Sequence, residues 1–256
     1  MKLKLNEQLA TNYKSRSQKD RVLTEQWVDN SIFCPNCGHL EIDKFPNNRP
    51  VADFYCSNCR EEYELKSKQS AICSKIVDGA YHTMIERLAS CSNPNFFLLN
   101  YSLSDFEITN FFVIPKHFIV PNLIEKREPL AKTARRAGWI GCNILIQNIP
   151  QAGKIYFIKN GFTRSKELVL AEWKRTLFLR DEREITTKGW LLDVMRVIEK
   201  LGKREFALVD IYSFESEFSK LHPENMHIKE KIRQQLQILR DKGFLNSTVR
   251  GLYEVR

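Results

Sequence analysis

Two acidic residues and a lysine have a spacing that suits metal-dependent chemistry on phosphate. Asp53 starts one β-like run, and Glu64 and Lys66 lie two residues apart on the next. Because side chains alternate between the faces of a strand, Glu64 and Lys66 share a face. Two carboxylates can hold a divalent ion against a phosphate, and the lysine can orient the attacking water or stabilise the charged transition state. The pattern predicts metal-dependent cleavage of phosphodiester bonds, with Asp53, Glu64 and Lys66 as the catalytic residues.

The second of these runs offers further contacts. The backbone carbonyl of Leu65 is expected to face the ion, as a third ligand beside Asp53 and Glu64. Lys68 continues the face that carries Lys66, and it is expected to contact phosphate. The plain alternative is that Glu64 and Lys66 form only a solvated strand face, which is the usual position for such residues.

Four cysteines surround this stretch in two close pairs. Cys34 and Cys37 form one pair, Cys56 and Cys59 form the other, and eighteen residues separate the pairs. Each pair can form a tight turn that presents both sulfurs to one tetrahedral zinc ion. Four thiolates leave no open position for water, so the zinc is expected to be structural and to brace the strands that carry the catalytic residues. Disulfide bonds are the alternative, although they are rare in cytosolic chains.

The composition bounds the kind of molecule that must position these residues. The chain has 256 residues, of which 43% are hydrophobic, so it can bury the core of one large domain or two smaller ones. No apolar run approaches the roughly 20 residues that cross a bilayer, and the polar N-terminus is unlike a secretory signal. The formal net charge of +9 favours a polyanionic partner. We therefore expect a cytoplasmic protein that binds no membrane.

Hydrophobic periodicity predicts a sheet flanked by helices over the first two thirds of the chain. Ser17 is expected to cap a first helix that carries Val22, Leu23 and Trp27. The further expected elements are an amphipathic helix over Asp78–Cys91, strands over Asn95–Tyr101, Glu107–Ile114, Ile144–Ile149 and Ile155–Ile158, and a closing helix over Glu172–Leu179. A polar run at Asp181–Thr187 predicts a boundary between two domains, residues 1–182 and 183–256, with the zinc ribbon at 34–59.

A basic stretch with one aromatic residue precedes the third of these strands. It contains Arg135, Arg136 and Trp139, and it shows no core periodicity. The arginines can hold phosphate or a guanine edge, and the indole can stack on a base or line a pocket for a methyl group. A surface loop with one buried tryptophan is an equally open interpretation.

The C-terminal part of the chain has the pattern of a winged helix. Helices are expected over Lys188–Leu201, Leu208–Leu221 and His227–Lys242, followed by a hairpin of Phe244–Leu245 and Leu252–Val255. In a winged helix the third helix enters the major groove of DNA. Its polar positions are therefore expected to contact DNA, namely His227, Lys229, Lys231, Arg233 and Gln234. A solvated helix face is the alternative.

Long blocks of this sequence match one known family. They are Tyr13–Ser15, Cys34–Gly38, Asn47–Cys56, Glu64–Lys68, Asp78–Tyr81, Asn93–Phe97, Pro129–Ala131, Thr133–Asn143 and His227–Lys242. On these blocks, which run nearly from end to end, the chain resembles the DpnI family of methyl-directed (type IIM) restriction endonucleases. The segments Phe162–Val169, Asp181–Thr186 and Leu245–Val249 match least, so no contacts are carried over for them.

The resemblance implies an α/β (α+β) nuclease domain of the PD-(D/E)XK class with an inserted four-cysteine zinc site, followed by a C-terminal winged helix. Asp53, Glu64 and Lys66 match the catalytic motif residue by residue, and Ala52 stands where the name of the motif places proline. The resemblance also implies cleavage of double-stranded DNA at GATC sites that carry N6-methyladenine. We therefore expect a magnesium-dependent type II enzyme, monomeric in solution, with Mg²⁺ as the catalytic ion, Zn²⁺ as the structural ion and Trp139 as the candidate for contact with the methyl group.

Two other functions stay open from the sequence. One is a non-catalytic DNA-binding regulator built from a zinc ribbon and a winged helix, which leaves Asp53, Glu64 and Lys66 without a role. The other is a nuclease of the same fold that prefers unmethylated or differently modified sites.

Overall fold

The computed structural model describes residues 2–46, 52–69, 74–90, 92–102, 104–249 and 251–256, with Thr248 described by its backbone alone. The chain forms two compact units. The first comprises Met1–Gln147 and Ala152–Lys174, and the second comprises Asn148–Gln151 and Arg175–Arg256. In the part of the chain that the structure describes, every helix is too short or too polar to span a bilayer.

The first unit alternates short strands with three α-helices. In chain order they are α1 (Arg16–Ser31), β1 (Asp43–Lys44), β2 (Phe54–Tyr55), β3 (Glu62–Lys68), β4 (Ile76–Ala80), α2 (Tyr81–Ala89), β5 (Asn95–Tyr101), β6 (Ile108–Ile114), β7 (Ile124–Lys126), β8 (Gly141–Ile144), β9 (Ile155–Lys159), β10 (Phe162–Thr163) and α3 (Lys166–Arg175). Short 3-10 turns lie at Glu7–Ala10, Lys116–Phe118, Pro121–Leu123, Ile146–Asn148 and Gln151–Gly153.

A seven-stranded sheet in the order β1-β2-β3-β5-β6-β9-β10 forms the centre of this unit. β3 and β5 run parallel, whereas the other neighbouring strands are antiparallel. All seven residues of β5 are buried, as expected for a strand covered on both faces. The strands predicted over Asn95–Tyr101, Glu107–Ile114 and Ile155–Ile158 are confirmed.

Helix α1 packs on this sheet through its apolar face. The ring of Trp27 meets that of Phe111 edge-on at a centroid distance of 5.2 Å, and Val28 is fully buried. The predicted first helix is thus confirmed, but its cap is not. The helix begins at Arg16 after Ser15, so Ser17 lies inside the first turn, where its hydroxyl is 2.9 Å from that of Ser15.

A separate three-stranded sheet in the order β4-β8-β7 accounts for two wrong predictions. The helix predicted over Asp78–Cys91 is shorter, because Asp78–Ala80 belong to β4 and only Tyr81–Ala89 are helical. Cys91 lies outside the described residues. The strand predicted over Ile144–Ile149 is wrong beyond its first residue. The observed strand β8 ends at Ile144, and a 3-10 turn follows at Ile146–Asn148. In both segments the conformation is determined by pairing with strands that are distant in the chain, and not by the local hydrophobic periodicity.

The second unit contains five helices and a small sheet among its described residues. They are α4 (Phe178–Asp181), α5 (Ile185–Leu201), β11 (Glu205–Ala207), α6 (Leu208–Tyr212), α7 (Glu215–Leu221), α8 (Ile228–Asp241), β12 (Leu245–Val249) and β13 (Leu252–Val255). The closing helix predicted over Glu172–Leu179 is therefore two helices, α3 and α4. The helix predicted over Leu208–Leu221 is likewise divided, into α6 and α7.

The wing has three strands where the sequence predicted two, in the order β11-β13-β12. The extra strand is too short for a periodic signal, and it forms because Phe206 pairs with Tyr253 across the sheet. The apolar stripe of α8 is fully buried at Ile232, Leu236 and Leu239. The predicted fold class, a mixed α/β domain with a four-cysteine cluster followed by a winged helix, is confirmed.

Candidate active site and four-cysteine cluster

Asp53 is fixed to the strand that carries the other two predicted catalytic residues. Its backbone N–H donates to the carbonyl of Tyr63 (2.9 Å), and its carboxylate oxygen Oδ2 accepts from the N–H of Leu65 (2.7 Å). The carboxylate of Asp53 therefore lies beside Leu65, the residue of β3 that separates Glu64 from Lys66. Burial raises the pKa of Asp53 above its ordinary range, against the opposing hydrogen bond from Leu65.

Lys66 lies between two carboxylates. Its Nζ is 2.5 Å from Oε1 of Glu64 and 2.6 Å from Oδ1 of Asp78. The side chain of Lys66 is only 21% exposed, that of Glu64 is 20% exposed and that of Asp78 is 6% exposed. This is not the solvated strand face of the alternative interpretation. The structure thus brings Asp53, Glu64 and Lys66 together and adds Asp78, which sequence reasoning placed in a helix.

Burial tunes the charges of this group. It raises the pKa of Glu64 to about 7, against the opposing charge of Lys66. Burial alone would lower the pKa of Lys66, but the carboxylates of Glu64 and Asp78 hold that pKa above its ordinary range. Lys66 therefore keeps its positive charge at neutral pH, whereas the carboxyl group of Glu64 exchanges its proton in the neutral range.

Helix α1 supplies one wall of the site. A cavity of about 390 Å³ opens between α1 and β3, and its lining residues are Ser17, Asp20, Arg21, Thr24, Glu25, Asp53, Glu64, Leu65 and Ser67. Glu25 is 5% exposed and pairs with Arg21 at 2.5 Å and Lys44 at 2.6 Å. Sequence reasoning missed Glu25, although a carboxylate three residues before the apolar Val28, and so on the same helix face, was a signal for a buried polar role.

The cavity has donors that suit a hard divalent cation. Asp53, Glu64 and Leu65 all line it, and carboxylate and carbonyl oxygens are the ligands that Mg²⁺ and Ca²⁺ take in proteins. The donor set therefore fits the implied magnesium ion. Lys68, at the end of β3, is exposed and lies on the strand face of Lys66.

The four predicted zinc ligands form one cluster. The sulfurs of Cys34, Cys37, Cys56 and Cys59 all lie within 4.8 Å of one another. The closest contacts join one pair to the other, at 3.5 Å for Cys34 and Cys59 and 3.6 Å for Cys37 and Cys56. These cysteines form no disulfide, and their spacing suits a tetrahedral zinc site.

Two matching turns present the sulfurs. In each, a backbone N–H four residues after the first cysteine closes the loop, from Gly38 to the carbonyl of Cys34 and from Arg60 to the carbonyl of Cys56, both at 2.8 Å. Both donors have positive φ, +78° at Gly38 and +61° at Arg60. A left-handed conformation at a non-glycine residue is uncommon, so the turn at Arg60 is held by its surroundings.

Tyr63 connects the cluster to the predicted catalytic residues. Its hydroxyl lies 3.2 Å from the sulfur of Cys34, its ring is fully buried and stacks on Phe97 at 4.4 Å, and its carbonyl accepts from Asp53. The next residue along the strand is Glu64. One strand residue therefore contacts the cluster, holds Asp53 and precedes the second carboxylate.

Besides Lys68, the predicted DNA-contact residues of the first unit share one loop between β7 and β8. Arg135 and Arg136 are exposed, and the guanidinium of Arg136 stacks over the ring of Trp139 at 4.3 Å. Trp139 is half-buried and its carbonyl accepts from Leu130 at 3.0 Å, which closes the loop. A β-carbon at Gly141 would lie 2.8 Å from the indole, so the ring lies directly on that glycine.

The remaining predicted contacts lie on α8 and at its start, in the second unit. Four of the five are exposed and Lys231 is half-buried; the exposed ones are His227, Lys229, Arg233 and Gln234. Lys229 pairs with Glu215 at 3.2 Å, and Arg233 donates to the hydroxyl of Tyr212 at 2.9 Å. The face opposite the buried stripe of α8 is thus polar and positively charged.

Two family models match the chain. The model described as DpnI, Dam-replacing family, matches residues 1–182, and the model described as Dam-replacing HTH domain matches residues 186–255. The first covers the seven-stranded sheet, the carboxylate–lysine group, the four cysteines and α4, and the second covers α5 to α8 except the first residue of α5, together with the wing.

Proposed function

Because the chain belongs to the Dam-replacing family of DpnI-like, methyl-directed restriction endonucleases, we propose that it cleaves double-stranded DNA at GATC sites that carry N6-methyladenine. The observation that carries the proposal is the grouping of Asp53, Glu64 and Lys66, in which Asp53 is hydrogen-bonded to Leu65. This grouping is the constellation of a PD-(D/E)XK nuclease. A DNA-binding regulator has no use for a buried lysine between carboxylates.

The side chains of this group have distinct roles in the proposed reaction. Asp53 and Glu64, with the carbonyl of Leu65, hold Mg²⁺, which when bound lowers the pKa of a water and neutralises charge on the phosphate. Lys66 orients the attacking water and stabilises the negative charge that develops on the phosphate oxygens. Lys68 binds a neighbouring phosphate. The four cysteines hold a structural zinc ion, which takes no part in the hydrolysis.

Recognition of the methylated base is assigned to two places. In the nuclease domain, residues 1–182, the indole of Trp139 offers an apolar surface to the methyl group, while Arg135 and Arg136 hold phosphate or a guanine edge. In the winged helix, residues 183–256, the exposed side chains of α8 enter the major groove, where the N6-methyl group projects. The active species is a monomer in solution.

One experiment separates this function from its rivals. The same plasmid, with and without adenine methylation at GATC, is incubated with the protein and Mg²⁺. Cleavage of the methylated plasmid alone, abolished in Asp53→Asn, supports the proposal. Cleavage of neither plasmid favours the regulator, and equal cleavage of both contradicts methyl dependence.

A further inference from the structure

The carboxylate of Asp78 approaches the catalytic lysine from outside the central sheet. It lies at 2.6 Å from Lys66 Nζ, and it is the least exposed member of the group. We propose that Asp78 is a positioning residue that holds Lys66 in place for catalysis. The inference rests on the proposed function, since it gives a task to a side chain in the same reaction.

The donor count of the lysine explains why a second carboxylate is needed. An ammonium group has three donors, and among the described residues two of them are directed to Glu64 and Asp78. The third is left for the attacking water or a phosphate oxygen. A metal ion held by Glu64 would compete with Lys66 for the oxygens of that carboxylate. Asp78 then remains as the hydrogen-bond acceptor that holds the ammonium group of Lys66 in position.

The local backbone directs Asp78 toward the site. β4 pairs with β8 in antiparallel register, Asp78 opposite Cys142 and Ala80 opposite Gly141, with an irregularity between the two pairs at Gly79. A bulge of this kind turns a side chain away from the regular alternation. The irregularity directly follows Asp78, whose carboxylate is directed at Lys66.

The same strand pair connects Asp78 to the loop that carries Trp139. β8 begins two residues after Trp139, and the N–H of Tyr81, next to β4, donates to the carbonyl of Ile140 at 3.1 Å. The strand that holds Asp78 is thus joined to the end of this loop by backbone hydrogen bonds.

Three variants test the proposal. Asp78→Asn removes the charge, Asp78→Glu keeps it but displaces it, and Glu125→Gln is the matched control. Glu125 lies on β7 of the same small sheet and pairs with Lys75 at 2.9 Å, away from Lys66. Each variant is measured for single-turnover cleavage of methylated duplex at saturating Mg²⁺, and for duplex affinity in Ca²⁺.

We expect Asp78→Asn to slow cleavage by about 10²-fold, the order of loss that follows a misplacement of about 1 Å. Its duplex affinity should stay within about twofold of the wild-type value, because positioning acts on the rate and not on binding. Asp78→Glu should recover part of the rate, and Glu125→Gln should cleave as the wild type does. Wild-type cleavage by Asp78→Asn, an equal loss in Glu125→Gln, or a matching loss of affinity in Asp78→Asn overturns the proposal.

Thermal unfolding of each variant is measured as well, so that two further outcomes can also be interpreted. If Asp78→Asn does not fold, Asp78→Glu decides, since a wild-type rate in that variant contradicts a positioning role. If the wild type cleaves no DNA, the proposed function fails, and the Asp78–Lys66 pair is tested through the losses in Tm of Asp78→Asn, Lys66→Met and the double variant. Losses that do not add support the pair, whereas additive losses refute it.

Discussion

Burial of charge sets the chemistry at the scale of single residues. Lys66, Glu64 and Asp78 are each at least about four-fifths removed from solvent, in an environment where an unpaired charge costs several kcal/mol. The group is stable because its members neutralise one another. Removal of one of these three side chains leaves a charge on the others unpaired, which lowers the free energy of unfolding. Variants at these three positions therefore need a measurement of folding as well as of activity.

The first prediction concerns the catalytic side chains themselves. Asp53→Ala and Lys66→Ala should each abolish cleavage while duplex binding in Ca²⁺ survives, because these residues serve the chemistry and not the affinity. Lys75→Ala is a suitable control, since Lys75 is a half-exposed lysine paired with Glu125. Loss of DNA binding in both catalytic variants, with folding intact, would contradict these roles.

The second prediction concerns pH. Burial raises the pKa of Glu64 to about 7, and only the ionised carboxylate binds Mg²⁺ well. At subsaturating Mg²⁺ the cleavage rate should therefore rise with pH, with a midpoint near the pKa of about 7, and level off about one pH unit above it. More Mg²⁺ should move the midpoint to lower pH, because the ion competes with the proton. A rate that falls between about pH 5.5 and 7 would be incompatible with Glu64 as a ligand.

The sequence predicted the site residues that are close in the chain and missed those that are distant. Spacing placed Asp53, Glu64, Lys66 and the four cysteines in the candidate site, since strand alternation and the turn of a cysteine pair are local. Glu25 and Asp78 reach the site only through helix packing and the pairing of β4 with β8. The helical pattern of Tyr81–Ala89 concealed Asp78, because it gave no sign that the helix starts after a bulge.

At the scale of elements, β3 joins the four-cysteine cluster to the proposed catalytic group. Tyr63 is fully buried between Cys34 and Phe97, and it precedes Glu64 directly. The second turn of the cluster lies between β2 and β3, so it sets the hairpin that places Asp53 against Leu65. A change in the cluster is therefore expected to alter the catalytic geometry without removing any catalytic atom.

The third prediction follows from this connection. Removal of zinc with a chelator should lower the Tm of the protein and stop cleavage. Added Mg²⁺ should not restore cleavage, because the chelator removes the structural support of β2 and β3. Readdition of Zn²⁺ after removal of the chelator should restore both properties. Full cleavage by zinc-free protein in Mg²⁺ would show that the cluster does not support the site. Metal content and cleavage are measured on the same sample.

The fourth prediction belongs to the loop between β7 and β8. Trp139→Ala should reduce the preference for methylated over unmethylated duplex, because the apolar surface for the methyl group is lost, whereas Trp139→Phe should keep most of it. Arg135→Ala should instead weaken binding to both duplexes alike, as expected for a phosphate contact. An unchanged preference in Trp139→Ala, with the protein folded, would place the methyl contact elsewhere.

At the scale of the whole molecule, discrimination by one methyl group needs more than one reader. Burial of one such group is worth about 0.8 kcal/mol, or about fourfold in affinity. A preference of that size from a single contact is small for a restriction enzyme. When two DNA-binding units each contact the methylated base, their preferences for methylated DNA multiply. The two units, each with its own core, and a net charge of +9 are consistent with this division of labour.

Single-turnover cleavage of two synthetic duplexes, identical except for N6-methyladenine in GATC, tests the central claim most directly. The account predicts Mg²⁺-dependent cleavage of both strands of the methylated duplex, far slower cleavage of the unmethylated one, and no cleavage of either by Asp53→Asn. Equal rates on the two duplexes, or cleavage that persists in Asp53→Asn, would contradict it.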